Sequence, residues 1–116
     1  MKILITGANG YLGQGIVKNI LDLGHRVIAT DFKNTNIDSR AHIITCDLFE
    51  VNNPYTFFDK PDILLHLAWK DGFVHYSDTH VADLPKHYKF IKQMAESGIK
   101  HIAVMGSMHE IGFFEG

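Results

Sequence analysis

Residues 6–13 read Thr-Gly-Ala-Asn-Gly-Tyr-Leu-Gly, and they are the most informative residues of the chain for its fold. It lies between a short apolar run at residues 2–6 and a longer segment of helical spacing. Glycines in such a loop serve a tight turn with positive φ, a close approach of the backbone to phosphate, and close packing of helix on strand. The helix that follows offers unpaired N–H groups and a partial positive charge. The stretch therefore predicts a strand–loop–helix unit that binds phosphate groups, although turn formation alone could also account for the glycines.

In the rest of the chain, short β-branched or apolar runs alternate with longer stretches of helical spacing. This alternation is typical of a doubly wound α/β fold, in which crossover helices join the strands of a parallel sheet. The connections at residues 33–40 and 54–60 have room for a short helix at most. Five strands are predicted, at residues 2–6, 26–31, 41–46, 63–68 and 101–106.

Two segments carry the spacing of long helices. The first follows the glycine loop and ends just before Gly24, which is expected to adopt the left-handed conformation. The second begins at Leu84, with Pro85 in its permitted first turn, and stops at Gly98. In this second helix Tyr88 falls on the predicted apolar stripe.

Composition limits the classes of protein to which the chain can belong. With 46% hydrophobic and 21% charged residues, the 116 residues are expected to form one globular domain with a core, so disorder is excluded. A net charge of -2 provides no basic surface for nucleic acid or for an acidic membrane. Cys46 has no second cysteine to pair with, and no apolar run approaches the roughly 18 residues that span a bilayer. We therefore expect a cytoplasmic protein without nucleic-acid or membrane partners.

The glycine spacing, together with Asn9 and Tyr11, resembles the extended short-chain dehydrogenase/reductase family of nucleotide-sugar epimerases and dehydratases. The resemblance covers essentially the whole chain and implies a Rossmann fold, here with its first five strands. It also implies a nicotinamide dinucleotide cofactor, whose pyrophosphate lies on the glycine loop. The cofactor-binding residues that it implies in this loop are Gly7, Asn9, Gly10, Tyr11, Leu12 and Gly13.

Two further strand ends match the family pattern. At Asp31 a carboxylate can accept hydrogen bonds from the adenosine ribose and repel a 2′-phosphate, which favours NAD over NADP. Lys33 could soften that repulsion, and a solvated aspartate at a strand end is the alternative interpretation of Asp31. Phe32 is its neighbour and a second candidate cofactor contact. The pair Asp47 and Leu48 resembles the family pair that contacts the adenine, although aspartate ends many strands.

The substrate side of the resemblance rests on two segments. His66-Leu67-Ala68-Trp69 resembles the family's His-hydrophobe-Ala-Ala/Gly segment, whose backbone lies along the cofactor beyond the histidine. Trp69 departs from the small residue usual there and could narrow the nicotinamide side. We interpret His66 as a core histidine with its hydrogen bonds satisfied rather than as a base. Ser107 matches the family residue that binds the reacting substrate oxygen, and is the candidate catalytic residue, with a local turn bond as the alternative.

The acid/base machinery of the family is not found in this stretch of sequence. Hydride chemistry there depends on a Tyr and a Lys four residues apart, on the helix after the fifth strand. Tyr88 and Lys92 have that spacing but precede the fifth strand, so we interpret them as structural. We therefore expect the N-terminal portion of a longer enzyme, inactive by itself and lacking the substrate domain. Phe113 and Phe114 then have no element to pack them, which predicts poor solubility or a homodimer.

The resemblance as a whole implies an NAD-dependent oxidoreductase that acts on a nucleotide sugar, most simply by epimerisation or dehydration in the longer protein. The alternative is a non-catalytic module of the same fold that holds dinucleotide as a sensor or structural ligand. Eight histidines show no spacing typical of metal ligands, so no metal is expected.

Overall fold

The computed structural model describes residues 1–67, 78–105 and 111–115. In these residues a single sheet has the strand order β3-β2-β1-β4-β5-β6. The strands are β1 (Lys2–Thr6), β2 (Arg26–Asp31), β3 (His42–Thr45), β4 (Ile63–His66), β5 (His101–Met105) and β6 (Ile111–Glu115).

The first five strands are parallel throughout, as predicted. The chain winds from β1 outward to β3, then returns to the other side of β1 and continues with β4 and β5. Thr6, the last residue of β1, is therefore in register with Thr30 on one side and His66 on the other. A reversal of strand order at this point opens a crevice at the carboxyl edge, where ligands bind in folds of this class.

Helices cover both faces of the sheet. They are α1 (Tyr11–Asp22), a short 3-10 helix (Leu48–Glu50), α2 (Pro54–Phe57) and α3 (Asp78–Glu96). Gly24 and Gly98 follow the two long helices with φ of +91° and +101°, so both predicted stops are confirmed. The predicted shortness of the other two crossovers is confirmed as well.

Residues of β1 alternate between two apolar cores. Ile3 and Ile5 face α1 and pack with Val17, whereas Leu4 faces α3 and packs with Met94. These five side chains are all at most 6% exposed. A strand buried on both faces needs apolar residues at successive positions, which is why β1 reads as a continuous run.

The start of α3 differs from the prediction. The helix begins at Asp78, so Pro85 lies inside it rather than in its first turn. Proline removes one backbone hydrogen bond and crowds the carbonyl four residues earlier. We attribute the tolerance of Pro85 inside the helix to packing of the later turns, where Phe90 and Met94 are buried against the sheet.

The buried face of α3 also differs from the predicted stripe. Tyr88 is 67% exposed, whereas His87, Phe90 and Met94 are buried. Placing Tyr88 on the apolar face was therefore wrong. The helix is rotated so that His87 meets His66 of β4, a contact that helical periodicity alone does not reveal.

Strand β6 was not predicted. It pairs antiparallel with β5, which puts Phe114 in register with Ile102 and Phe113 with Ala103. The expectation that no further element follows the fifth strand is wrong, because Phe113 and Phe114 belong to β6. A parallel partner would need a crossover of about a dozen residues, and the connection over residues 106–110 is too short for one.

Candidate functional site

Glycine occupies each of the three loop positions for a different structural reason. Gly7 has φ of +66°, a left-handed conformation that glycine adopts without strain. A Cβ added to Gly13 would lie 2.3 Å from the carbonyl oxygen of Gly7, so only glycine allows α1 to pack this closely on the loop. Gly10 has an ordinary φ of −73° and its added Cβ would come no nearer than 3.4 Å to a protein atom. The absence of a side chain at Gly10 therefore leaves space outside the protein, where a ligand can approach the backbone.

The amino end of α1 is arranged to receive an anion. Gly10 is its N-cap, and within the described chain no side chain caps this end and its first turn contains no acidic residue. Tyr11, at the first helical position, is 97% exposed. Helix N-termini carry unsatisfied N–H groups and a partial positive charge, so the loop offers donors to phosphate oxygens.

Asp31, at the carboxyl end of β2, is tied directly to this loop. Its Oδ2 accepts a hydrogen bond from the backbone N–H of Asn9 at 2.9 Å, and its Oδ1 accepts one from Phe32 at 2.7 Å. A second bond joins the two segments, from the N–H of Ala8 to the carbonyl of Thr30 at 3.2 Å. A carboxylate has about four acceptor positions, so Asp31 retains capacity for hydroxyl donors.

Asp47 and Leu48 lie at the next strand end, beyond β3. Asp47 is exposed and accepts a hydrogen bond from the N–H of Phe49 at 3.1 Å, which caps the 3-10 helix. Leu48 is buried and forms part of a small cavity of about 20 Å³ beside the glycine loop. The walls of this cavity are completed by Thr6, Gly7, Thr30, Asp31, Phe32 and Cys46. Asp31, Phe32 and Leu48 are thus brought together, while Asp47 has a local structural role.

His66 occupies the other side of the crevice and is fully buried. Its Nδ1 lies 2.8 Å from Thr6 Oγ1 and its Nε2 lies 2.7 Å from His87 Nδ1. Thr6 Oγ1 also accepts the N–H of Leu67 at 2.9 Å. Burial, and secondarily the neighbouring His87, lower the pKa of His66 to about 3, so the ring is neutral at physiological pH. The prediction of a core histidine with its hydrogen bonds satisfied is confirmed.

Several residues around the site were not found from the sequence. His87 contacts His66 only because α3 docks on β4, and no local pattern signals that contact. Gln14 donates from Nε2 to the carbonyl oxygen of Asn9 at 2.9 Å, and the N–H of Asn36 donates to Asn9 Oδ1 at 2.7 Å. The Asn36 contact uses backbone, so the identity of that residue carries no signal.

Three predicted site residues, Ala68, Trp69 and Ser107, lie outside the described residues. Leu67, which precedes two of them, is half-buried at the end of β4. Among the described residues, no three His, Cys, Asp or Glu side chains come together as a metal site. A search of the same residues found no helix with the length and apolar character required to cross a membrane.

Curated and solved proteins resemble this chain over nearly its whole length. It is 43% identical over 121 residues to dTDP-6-deoxy-L-talose 4-dehydrogenase (NAD(+)) of Aggregatibacter actinomycetemcomitans, in a match that covers 100% of this chain and 45% of that protein. The chain therefore spans about half the length of this curated relative.

The solved structures show the same fold. MoeE5 in complex with UDP-glucose and NAD matches with a TM-score of 0.74 and 19% identity, over 90% of this chain and 36% of that one. UDP-glucose 4-epimerase of Thermus thermophilus in complex with NAD matches with a TM-score of 0.72 and 22% identity, over 86% and 35%. A family model described as the NAD dependent epimerase/dehydratase family matches residues 3–115, so this chain belongs to that family.

Proposed function

We propose that this chain binds NAD and forms the dinucleotide-binding part of an oxidoreductase that acts on a nucleotide sugar. The observation that carries the proposal is the open amino end of α1, joined through Asn9 to the carboxylate of Asp31. A dinucleotide requires backbone N–H donors for its phosphate oxygens and, beside them, an acceptor for its ribose hydroxyls. Membership of an NAD-dependent family supports the same cofactor.

The residues at the crevice fit such a cofactor. The N–H groups of Tyr11 and Leu12 are available for the pyrophosphate, because no side chain of the described residues caps this helix end. The N–H of Gly10 donates to the carbonyl of Gly7 at 3.2 Å, so Gly10 contributes by having no side chain in the way of the ligand. Asp31 would accept the hydroxyls of the adenosine ribose. Phe32, 52% exposed beside it, offers an apolar surface to the adenine, and Leu48 and Asp47 lie at the neighbouring strand end.

The substrate side of the proposal rests on the resemblance. The segment Leu67, Ala68 and Trp69 would lie along the nicotinamide side, and Ser107 would orient the reacting sugar oxygen. NAD, when bound, supplies the site that accepts or returns a hydride. His66 is engaged by Thr6 and His87 within the core, so we assign it to positioning rather than to proton transfer.

The proposed substrate is a nucleotide-linked sugar, with dTDP-deoxysugars the first to test because the 43% identical relative is named for one. Solved neighbours with UDP-sugars make UDP-hexoses the second group. We propose that residues 1–116 form the dinucleotide-binding domain, and that turnover requires a Tyr and a Lys that the resemblance places after Ser107.

Binding is tested by titration calorimetry with NAD on the chain and on Gly10→Val. The variant is expected to fold, since its Cβ meets no protein atom closer than 3.4 Å, yet its branched side chain covers the phosphate donors. We expect a loss of affinity of roughly tenfold or more, on a scale where tenfold is about 1.4 kcal/mol. Gly15→Val is the matched control, because Gly15 is on the same helix with no atom within 4 Å of an added Cβ. Equal NAD affinity in Gly10→Val and in the control would refute the site.

Activity is tested separately by chromatography of products from dTDP-, UDP- and GDP-sugars with NAD. We expect no turnover by these 116 residues and turnover by a longer form that carries Tyr-x-x-x-Lys after Ser107. Turnover by the 116 residues alone would show that the acid/base group lies within them. A longer form that binds NAD but contains no such pair would instead support a non-catalytic binding module.

A further inference from the structure

The segment that follows β2 is exposed to solvent. Residues 32–36 are all exposed, and the chain becomes buried again at Ile37, which packs in the core under α1. Lys33 lies in this segment, directly after the Asp31–Phe32 pair. The course of this backbone therefore decides what surrounds the carboxylate of Asp31.

One side chain of the glycine loop holds the segment in place. Asn9 Oδ1 accepts a hydrogen bond from the backbone N–H of Asn36 at 2.7 Å. The backbone of the same residue donates to Asp31 and accepts from Gln14. Asn9 thus joins the phosphate loop to the end of β2, to α1 and to the segment at residues 32–36.

An open space beside residues 32–36 makes the hydrogen bond between Asn9 and Asn36 important for the position of this segment. A cavity of about 690 Å³ lies between the first turns of α1 and residues 35–38, with Gln14, Lys18 and Asn36 among its walls. Packing does not fill that space, so the hydrogen bond to Asn9 restrains the segment between Phe32 and Ile37. The N–H of Ile37 also donates to the carbonyl of Asn34 at 3.4 Å, so loss of the Asn9 hydrogen bond should loosen, rather than free, the backbone at Lys33 relative to Asp31.

We propose that Asn9 determines the choice between NAD and NADP as a positioning residue. By holding Asn36, it keeps Lys33 and the Asp31 carboxylate in one arrangement, which accepts a ribose with a free 2′-hydroxyl and disfavours a 2′-phosphate. A 2′-phosphate needs a nearby cation to offset a carboxylate, and the restrained backbone limits how Lys33 can supply one. The inference rests on the proposed binding of NAD.

The test compares dissociation constants for NAD and NADP, measured by calorimetry, in the wild-type chain, Asn9→Ala, Asn9→Asp and Asn34→Ala. Asn9→Ala removes the acceptor but keeps the loop backbone, so the preference for NAD should fall roughly three- to tenfold, the range of one neutral hydrogen bond. Asn9→Asp retains an acceptor of the same shape, so the preference for NAD should be kept, while the added negative charge beside the phosphate loop should weaken the binding of both dinucleotides. Asn34→Ala is the matched control, the same change in the same exposed segment, and should behave as wild type.

Amide hydrogen exchange followed by NMR tests the contact without any ligand. The N–H of Asn36 should be protected in the wild type and in Asn9→Asp, and should exchange faster in Asn9→Ala. An equal loss of affinity for both dinucleotides in Asn9→Ala would indicate a purely structural role and overturn the inference.

The failure of this inference is distinguishable from failure of the proposed function. If the wild-type chain binds NAD and Gly10→Val does not, an unchanged NAD to NADP ratio in Asn9→Ala refutes only the role of Asn9. If the wild-type chain binds neither dinucleotide, both proposals fail together.

Discussion

The two sides of the carboxyl end of β1 are built in opposite ways. Toward β2, the loop that begins at Gly7 becomes exposed at Gly10, and the uncapped amino end of α1 follows it, while Asn9 of the loop is bonded to Asp31. Toward β4, Thr6, His66 and His87 form a buried chain of hydrogen bonds in which protein atoms meet protein atoms. Both sides are polar, and both lie at the same crevice.

Polar groups at one sheet edge can therefore serve either the fold or a ligand, depending on their burial. Buried polar groups are normally hydrogen-bonded within the protein, so the histidine side, formed by Thr6, His66 and His87, stabilises and aligns the strands. N–H donors at an uncapped helix end are hydrogen-bonded by water or by a ligand. The glycine side, formed by the loop from Gly7, the amino end of α1 and Asp31, is therefore available for binding. Substitutions on the histidine side should therefore change stability, whereas substitutions at the exposed end of the glycine side should change ligand binding.

The largest expected effect is acid destabilisation through His66. Its folded-state pKa of about 3 lies below the ordinary value of 6.5, so the unfolded chain binds the extra proton first as pH falls. The stability contributed by the neutral ring is therefore full above pH 6.5 and decreases toward pH 3, by a total of about 5 kcal/mol from this group. Urea unfolding at a series of pH values from neutral down to mildly acidic measures the slope.

The matched variants for this prediction are His66→Gln, which cannot take up the proton, and His42→Ala, which removes an exposed histidine. His66→Gln should be less stable at neutral pH and should show a flatter dependence on pH. His42→Ala should keep the wild-type slope. A His66→Gln variant with an undiminished slope would assign the acid sensitivity to other groups.

The fold of the glycine loop could be predicted from the sequence, whereas only part of the histidine side could, for a physical reason. The loop signal is contained in residues 6–13, and Asp31 was identified by its place at the end of the second strand, where the family resemblance implies a carboxylate. The burial of His66 was predicted from its apolar strand, but its partners Thr6 and His87 are distant in sequence.

The same reason explains the errors in α3 and β6. Helical spacing identified a helix ending at Gly98, but which face is buried depends on contact with β4, so Tyr88 was placed wrongly. Pro85 resembles a helix start because proline is favoured there, and only packing shows that the helix begins earlier. Whether the last strand returns antiparallel depends on pairing with β5, which apolar residues such as Phe113 do not specify.

The second prediction contrasts two glycines of α1. Gly13→Ala puts a methyl group 2.3 Å from the carbonyl oxygen of Gly7 and 2.8 Å from Ala8 Cα, so loop and helix must separate. We expect a loss of about 3 kcal/mol in the free energy of unfolding, the upper range for overpacking, together with weaker NAD binding. Gly15→Ala, with open space around it, should gain about 0.5 to 1 kcal/mol. Urea unfolding distinguishes the two, and equal effects would contradict the packing argument.

The smallest expected effect concerns the ribose end of the glycine side. Asp31→Ser should weaken NAD by roughly 1 to 2 kcal/mol, the scale of hydrogen bonds to a charged group, and should relieve repulsion of NADP. Asp38→Ser, the same change at an aspartate that pairs with Arg40, should leave the NAD to NADP ratio unchanged. Calorimetry with both dinucleotides measures the ratio. A constant ratio in Asp31→Ser would show that the carboxylate does not select the cofactor.

The pairing of β1 with β4 also sets an order of events during folding. Thr6 is in register with Thr30 of β2 and with His66 of β4, so one partner is synthesised well before the other. Until β4 emerges from the ribosome, one side of β1 is an unpaired edge with exposed backbone groups, the kind of edge on which chains aggregate. Slower translation between β2 and β4 would lengthen that exposure. The yield of folded chain should therefore depend on codon choice in this interval more than in the α1 segment.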